Sequence, residues 1–268
     1  MDRYKKLFEN LKNKKEGAFI PFVMLGDPNI TVSLELIDVL IESGSDALEL
    51  GFPFSDPLAD GLIIQNSSYR ALKIGITPIK CFQLLQIIRK KYPTIPIGLL
   101  IYANLVFNYG IHEFYKTCYN IGIDSVLIAD IPFEESKPFR FSANNYNISP
   151  IFICPPNADE NLIKNISIYS HSYVYLLSRA GVTGIENFIK FPLENIIKKF
   201  KKYNSFPLIQ GFGISKSSQI KNILKSGVSG VISGSAIINI IEKNFSTPTK
   251  MLNKISIFIR NMKNSTKL

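Results

Sequence analysis

The chain has no tryptophan, three cysteines and two histidines in 268 residues, and each shortage narrows the chemistry open to it. Cys81, Cys118 and Cys154 lie far apart with no C-x-x-C pair. An odd count without a framework argues against a disulfide scaffold and for reduced thiols in a cytosolic protein. Cys154 follows an apolar triplet, where a small buried hydrophobe is expected. His112 and His171 stand alone, without spaced carboxylate ligands, so no metal site is expected. A G-x-S-x-G elbow is missing, which argues against a Ser–His–Asp hydrolase. No lysine lies inside a candidate strand, which argues against a Schiff-base aldolase. No apolar run reaches the roughly 18 residues of a membrane span. Residues 95–107 come nearest, and Pro96, Gly98 and Asn104 interrupt them. No secretory signal or transit peptide is expected at residues 1–16, a charged segment with Tyr4, Leu7, Phe8 and Leu11 on one helical face.

Acidic residues are also few: 21 against 31 basic, a formal charge of +10. Nucleic acid is the partner such a balance suggests. The lysines and arginines, however, are scattered over several helix faces, as at Lys5 and Lys6, Arg89 to Lys91, and Lys198 to Lys202. They form no basic stripe interleaved with aromatics, so solvated lysine faces are expected and no nucleic-acid partner.

What is present is a large apolar fraction, 46%, arranged in short runs that alternate with helical patterns. Candidate strands lie at 19–24, 47–50, 97–102, 126–129, 151–153, 173–177, 208–210 and 231–233. Helical patterns lie at 32–42, 78–91, 111–121, 137–146, 160–169, 193–201, 217–225 and 247–263. Near-continuous apolar strands mean a parallel sheet buried on both faces. About eight strand–helix units match a closed (β/α)₈ barrel, and an open doubly wound sheet lacks its G-x-G-x-x-G turn. The expected fold is therefore a single domain over residues 1–268, a (β/α)₈ TIM barrel. It carries an extra N-terminal helix and extended loops after the second and sixth strands. The gap between the second and third strands is wide enough for two helices. Asp27 and Asp130 fall at strand ends and read as helix caps or turn formers.

The most informative segment runs from Leu48 to Gly61, LELGFPFSDPLADG. Glu49 sits within an apolar strand, and Asp56 and Asp60 follow in the loop. Desolvating an unpaired carboxylate is costly, so such a group gains a partner or keeps its proton. A strand-end Glu beside a loop Asp suits acid–base chemistry in a closed pocket. A salt-bridged structural Glu followed by turn aspartates is the alternative.

Three glycine-rich turns follow the last strands: Ser178 to Gly184, Gly211 to Ser215, and Gly234-Ser235-Ala236. Glycine lets backbone N–H groups approach an anion, and a helix N-terminus favours negative charge. Loops after the last barrel strands are a common phosphate site. Residues 179–187, with Arg179 and Thr183 as polar members, are long enough to act as a lid. Phe22, Leu100, Tyr102, Leu127, Ala129, Ile153, Tyr175 and Phe212 fall at strand ends and suggest an apolar substrate with a phosphate tail.

Together these motifs, over nearly the whole chain, resemble the alpha subunit of tryptophan synthase. The resemblance implies a barrel that cleaves indole-3-glycerol phosphate to indole and glyceraldehyde 3-phosphate. It also implies an αββα complex whose beta subunit uses pyridoxal phosphate, with no cofactor in this chain. Carried over, the catalytic carboxylates are Glu49 and Asp60, assisted by Tyr175, with Thr183 positioning Asp60. The phosphate would meet backbone N–H groups at Gly184, Gly213, Gly234 and Ser235, and Asp56 would face the partner. Leu62 stands where the family usually has proline, and Phe52 where it has a smaller Val or Ile; both are expected near the partner surface. A stand-alone indole-releasing lyase, a phosphosugar isomerase and a non-catalytic activating subunit remain as alternatives.

Overall fold

The apolar runs form strands that pair in parallel throughout, with helices returning the chain between them. The computed structural model describes residues 2–177, 193–203 and 205–267. Its strands are β1 (Ala18–Met24), β2 (Leu48–Gly51), β3 (Ile97–Ile101), β4 (Ser125–Ile128), β5 (Ser149–Ile151), β6 (Ile153–Cys154), β7 (Val174–Leu177), β8 (Leu208–Gly211) and β9 (Gly230–Ser233). They are ordered β5-β4-β3-β2-β1-β9-β8-β7-β6. The two ends of that order are consecutive in the chain, separated only by Phe152. β4 pairs with β5 and β7 with β6, while the Tyr175 N–H donates to the Phe152 carbonyl at 3.0 Å. One interrupted strand thus brings the sheet to near closure as a barrel, the fold expected from the alternation. The interruption corrects the unbroken strand expected at 151–153.

The helices are α1 (Arg3–Lys14), α2 (Ile30–Glu42), α3 (Leu62–Lys73), α4 (Pro78–Lys91), α5 (Ala103–Tyr109), α6 (Ile111–Ile121), α7 (Lys137–Asn145), α8 (Glu160–Tyr169), α9 (Glu194–Lys202), α10 (Ser217–Lys225), α11 (Ser235–Glu242) and α12 (Pro248–Asn264). Local chemistry starts several of them: Asp2, Asn29, Thr77 and Asp159 each accept a first-turn N–H. Two helices escaped the sequence reading. α5 is only seven residues long and has no side-chain cap. α11 is rich in isoleucine, with Ile237, Ile238 and Ile241 fully buried, so it shows little polar face to read. Asp27 lies in the turn after β1, as a turn former would, but is not the helix cap. Asn29 caps α2, while Asp27 is fully buried and accepts Arg70 Nε at 2.8 Å and Nη2 at 2.7 Å.

Register partners share a face of a parallel sheet, so pairing shows what fills the barrel. Phe22 pairs with Glu49, Glu49 with Gly98, Gly98 with Ser125, and Leu100 with Leu127. Glycines make room for the large members. A Cβ on Gly98 would lie 2.7 Å from Ser125 Oγ and 3.0 Å from Tyr4 Oη, and one on Gly51 would lie 2.8 Å from Phe22. Tyr4 comes from α1, so the extra N-terminal helix closes the barrel floor. Arg3 and Arg89 fasten it there, each donating to Asp124, at 2.8 and 2.7 Å. All three cysteines are buried. Among the described residues no single helix is long and apolar enough to cross a membrane.

Candidate active site

Glu49 is the second residue of β2, 2% exposed, between Phe22 of β1 and Gly98 of β3. Burial pushes its carboxyl up to about 8, partly offset by a hydrogen bond with the Tyr173 hydroxyl. Its Oε1 is buried and has no hydrogen-bond partner. No salt bridge neutralises Glu49 among the described residues, so the group holds its proton at neutral pH as a desolvated acid does.

Asp60 is the last but one residue of the ten-residue loop between β2 and α3. The loop is tied down locally: Phe54 N–H donates to Ser68 Oγ at 3.1 Å, Ala59 N–H to Tyr102 Oη at 3.1 Å, and Asp60 N–H to the Pro57 carbonyl at 3.0 Å. Burial pushes the Asp60 carboxyl up to about 6, and a hydrogen bond with the Tyr102 hydroxyl opposes that rise. The two carboxyls therefore have different protonation preferences at neutral pH, Glu49 neutral and Asp60 ionised.

Both carboxyls line one small cavity of about 70 Å³. Of the residues expected at the site, Tyr175, Phe22, Leu100, Leu127, Ala129, Ile153 and Phe212 line it as well, with Gly213, Gly234 and Ser235. Tyr175 of β7 faces it, its hydroxyl held protonated by burial and by the nearby Glu49 and Asp60 carboxyls. Space for that ring depends on Gly211, where a Cβ would fall 2.0 Å from Tyr175 Oη. Phe212 (φ 67°) and Gly213 (φ 71°) both take left-handed backbone at the cavity wall. Such a conformation costs about 1–3 kcal/mol at a non-glycine residue and is held only where the surroundings demand it. Ser235 begins α11; the Ile237 and Ile238 N–H groups donate to the Gly234 carbonyl, so the amides at Gly234 and Ser235 are those a helix start leaves for an anion.

Two expectations change. Tyr102 does not line the cavity; it is 2% exposed, stacks on Phe54 at 5.1 Å, and acts on Asp60 through its hydroxyl. Phe52 is not at the surface. It is 2% exposed and packs edge-on to Phe82 at 5.3 Å and Phe114 at 6.4 Å, because β2 turns its ring toward α4 and α6. Asp130 sits in the turn after β4, in keeping with a turn former, and accepts the Ala103 N–H at 2.8 Å at the start of α5, beyond the neighbouring strand β3. Arg179, Thr183 and Gly184 lie outside the described residues. Asp56 is exposed, as are Leu58 (81%) and Leu62 (76%) in the same segment.

Sequence reasoning missed Tyr173, although it lies two residues from Tyr175 and so points to the same strand face. It also missed Ile64, Ile214 and Ile232, which line the cavity. Ile232 was legible by the same alternation; Ile64 and Ile214 arrive only through folding. Among the described residues no three His, Cys, Asp or Glu side chains gather as a metal site would require.

A parallel barrel with two desolvated carboxyls at the C-terminal ends of its strands defines a class, the barrel enzymes equipped for general acid–base chemistry. Comparison narrows that class. A family model described as the tryptophan synthase alpha chain matches residues 8–267. The tryptophan synthase alpha chain of Escherichia coli (strain K12) is 58% identical over 267 residues, covering 100% of both chains. The solved alpha subunit from Legionella pneumophila superposes with a TM-score of 0.87 at 26% identity, covering 99% of this chain and 98% of that one. A chain of the Pyrococcus furiosus tryptophan synthase complex superposes at 0.83 with 32% identity, covering 92% and 98%. The chain belongs to the tryptophan synthase alpha-chain family. It is a lyase of tryptophan biosynthesis that carries the indole-3-glycerol phosphate cleavage step.

Proposed function

We propose that the cleavage runs on Glu49 and Asp60 in divided roles. The observation that carries this is the pair of unlike carboxyls on one cavity, one pushed up to about 8 and the other to about 6. Protonated Glu49 donates to the indole ring carbon that bears the glycerol chain. Ionised Asp60 accepts the indole N–H and stabilises the positive charge that then spreads onto the ring nitrogen. Glu49, now a carboxylate, takes the hydroxyl proton of the adjacent glycerol carbon. The carbon–carbon bond breaks, its electrons return to the ring, and glyceraldehyde 3-phosphate leaves with a new carbonyl. Glu49 ends as it began, so protons balance over the cycle.

Phe22, Leu100, Leu127, Ile153 and Phe212 supply apolar walls for the indole. Tyr175 assists near the glycerol chain. Backbone N–H groups at Gly213, Gly234 and Ser235, with Gly184 from outside the described residues, hold the phosphate. The cavity's 70 Å³ is well below the roughly 300–1,000 Å³ of occupied ligand sites, so its walls part when substrate enters. Arg179 and Thr183 would act from the lid, Thr183 on Asp60. The chain works as a single domain in the cytosol, in an αββα complex whose beta subunit carries pyridoxal phosphate. The exposed Asp56, Leu58 and Leu62 belong to the surface that meets it. The Pyrococcus relative, solved as an a2b2 complex, supports that partner.

The test is an indole-release assay with indole-3-glycerol phosphate, with and without a beta subunit. Turnover that rises on adding the beta subunit is expected. Release unaffected by the beta subunit would favour a stand-alone lyase, and no release in either arm would sink the catalytic roles.

A further inference from the structure

Arg140 of α7 makes no salt bridge among the described residues. Its guanidinium carbon lies 4.7 Å from the centroid of the Phe133 ring and 4.2 Å from that of Tyr169. Those two rings are 5.6 Å apart, and Phe152 extends the aromatic group to 5.3 Å from Phe133. Ring faces attract a cation, but the N–H donors of a guanidinium lie in its own plane and look for acceptors at its edge. Nη1 is buried and has no hydrogen-bond partner. A buried donor left unmade is uncommon in a folded protein and asks for an explanation such as a ligand.

Arg140 also lines a cavity of about 450 Å³, within the roughly 300–1,000 Å³ typical of small-molecule sites. Ile131, Phe133, Phe139, Phe152 and Leu162 make its walls largely apolar. It adjoins the catalytic cavity, with which it shares wall residues Ala59, Ala129, Ile153 and Phe212, while Arg140 itself lines only the second. Its acids, Asp130 and Glu134, are exposed, and Asp130 is already engaged by the Ala103 N–H. They disfavour a dianion such as phosphate, while a buried guanidinium edge suits a single planar carboxylate.

We propose that this cavity is a second ligand site, which takes a small monocarboxylate of apolar body with its carboxylate on Arg140. Its anchor, Arg140, lies outside the catalytic cavity, and the site goes beyond the cleavage reaction. The test is calorimetric titration of the full chain with 3-phenylpropanoate. Saturable binding is expected, weakened roughly tenfold or more for 3-phenylpropanamide, for inorganic phosphate and in Arg140→Met. Should Arg140→Met fold poorly, Leu162→Trp serves instead: it keeps the guanidinium, fills the cavity and should abolish binding. Absence of saturable binding to about 10 mM would overturn the proposal. So would equal affinity for the amide, or undiminished binding in either variant.

Discussion

Glu49 and Asp60 are both carboxyls raised by burial, yet they are raised to different values, and the difference predicts a pH profile. Activity needs Glu49 protonated, which is lost above about 8, and Asp60 ionised, which is lost below about 6. The value of kcat/KM for indole release should therefore be bell-shaped, with limbs near those values in the free enzyme. A profile flat from pH 5 to about 9 would contradict the assignment. Glu49→Gln keeps the shape and removes the proton shuttle, so kcat should fall by roughly 10²–10⁴-fold with the fold intact. The same variant reports on stability. The carboxyl of Glu49 titrates near 4.5 when unperturbed and about 8 when buried. The folded chain therefore binds more protons than the unfolded one, and the parent loses stability as pH rises between those values. Glu49→Gln should gain stability relative to the parent across that window and level off above it, as followed by urea melts. Tyr102 carries a third expectation. Its hydroxyl opposes the rise of Asp60, so Tyr102→Phe should move the acidic limb upward by about one unit. A merely structural loss would lower kcat without moving that limb.

At the scale of elements, the loop from Gly51 to Gly61 was legible because its residues are informative one by one. A strand carboxylate, two prolines and a glycine before a helix each carry a physical meaning. The start of α4 at Pro78 was legible, but α2 was read from 32 and begins at Ile30 behind Asn29; α5 and α11 were not read at all, one only seven residues long, the other buried on most sides. Leu62 is the first residue of α3, follows Gly61 at φ −79° and ψ 168°, and is 76% exposed. Proline suits that position, since its fixed φ is helical and the preceding residue is already extended. Leu62→Pro should stabilise the chain by about 0.4–1 kcal/mol in denaturant melts, through a stiffer unfolded chain. A loss of stability would mean that the Leu62 side chain or N–H supports the loop. Gly211 marks the opposite case, where no side chain fits beside Tyr175. Gly211→Ala should displace that ring and impair turnover more than stability.

The whole molecule is held at its floor by Asp124, which joins α1, α4 and β3. It accepts Arg3 at 2.8 Å, Arg89 at 2.7 Å and the Ile97 N–H at 2.8 Å. Asp124→Asn leaves two guanidinium groups facing each other with little solvent around Arg89, and should cost on the order of 3 kcal/mol in chemical denaturation. Little or no loss would mean that Tyr4 and the apolar face of α1 hold the floor unaided. The alternation of apolar runs and helical patterns pointed to a parallel sheet covered by helices, because parallel sheets are buried on both faces; the count of eight units, and no G-x-G-x-x-G turn, favoured the barrel over an open sheet. The catalytic pair was also written in the chain, since a carboxylate within an apolar strand is costly enough to imply a use. Only the tertiary structure decided which neighbours tune that pair. Tyr173 reaches Glu49 across the barrel interior and Tyr102 reaches Asp60 from the third strand, contacts between residues distant in sequence. It likewise decided that Phe52 packs inward and that Asp27 takes Arg70 rather than a helix end. Burial and partner are properties of the assembled core, which no local pattern encodes.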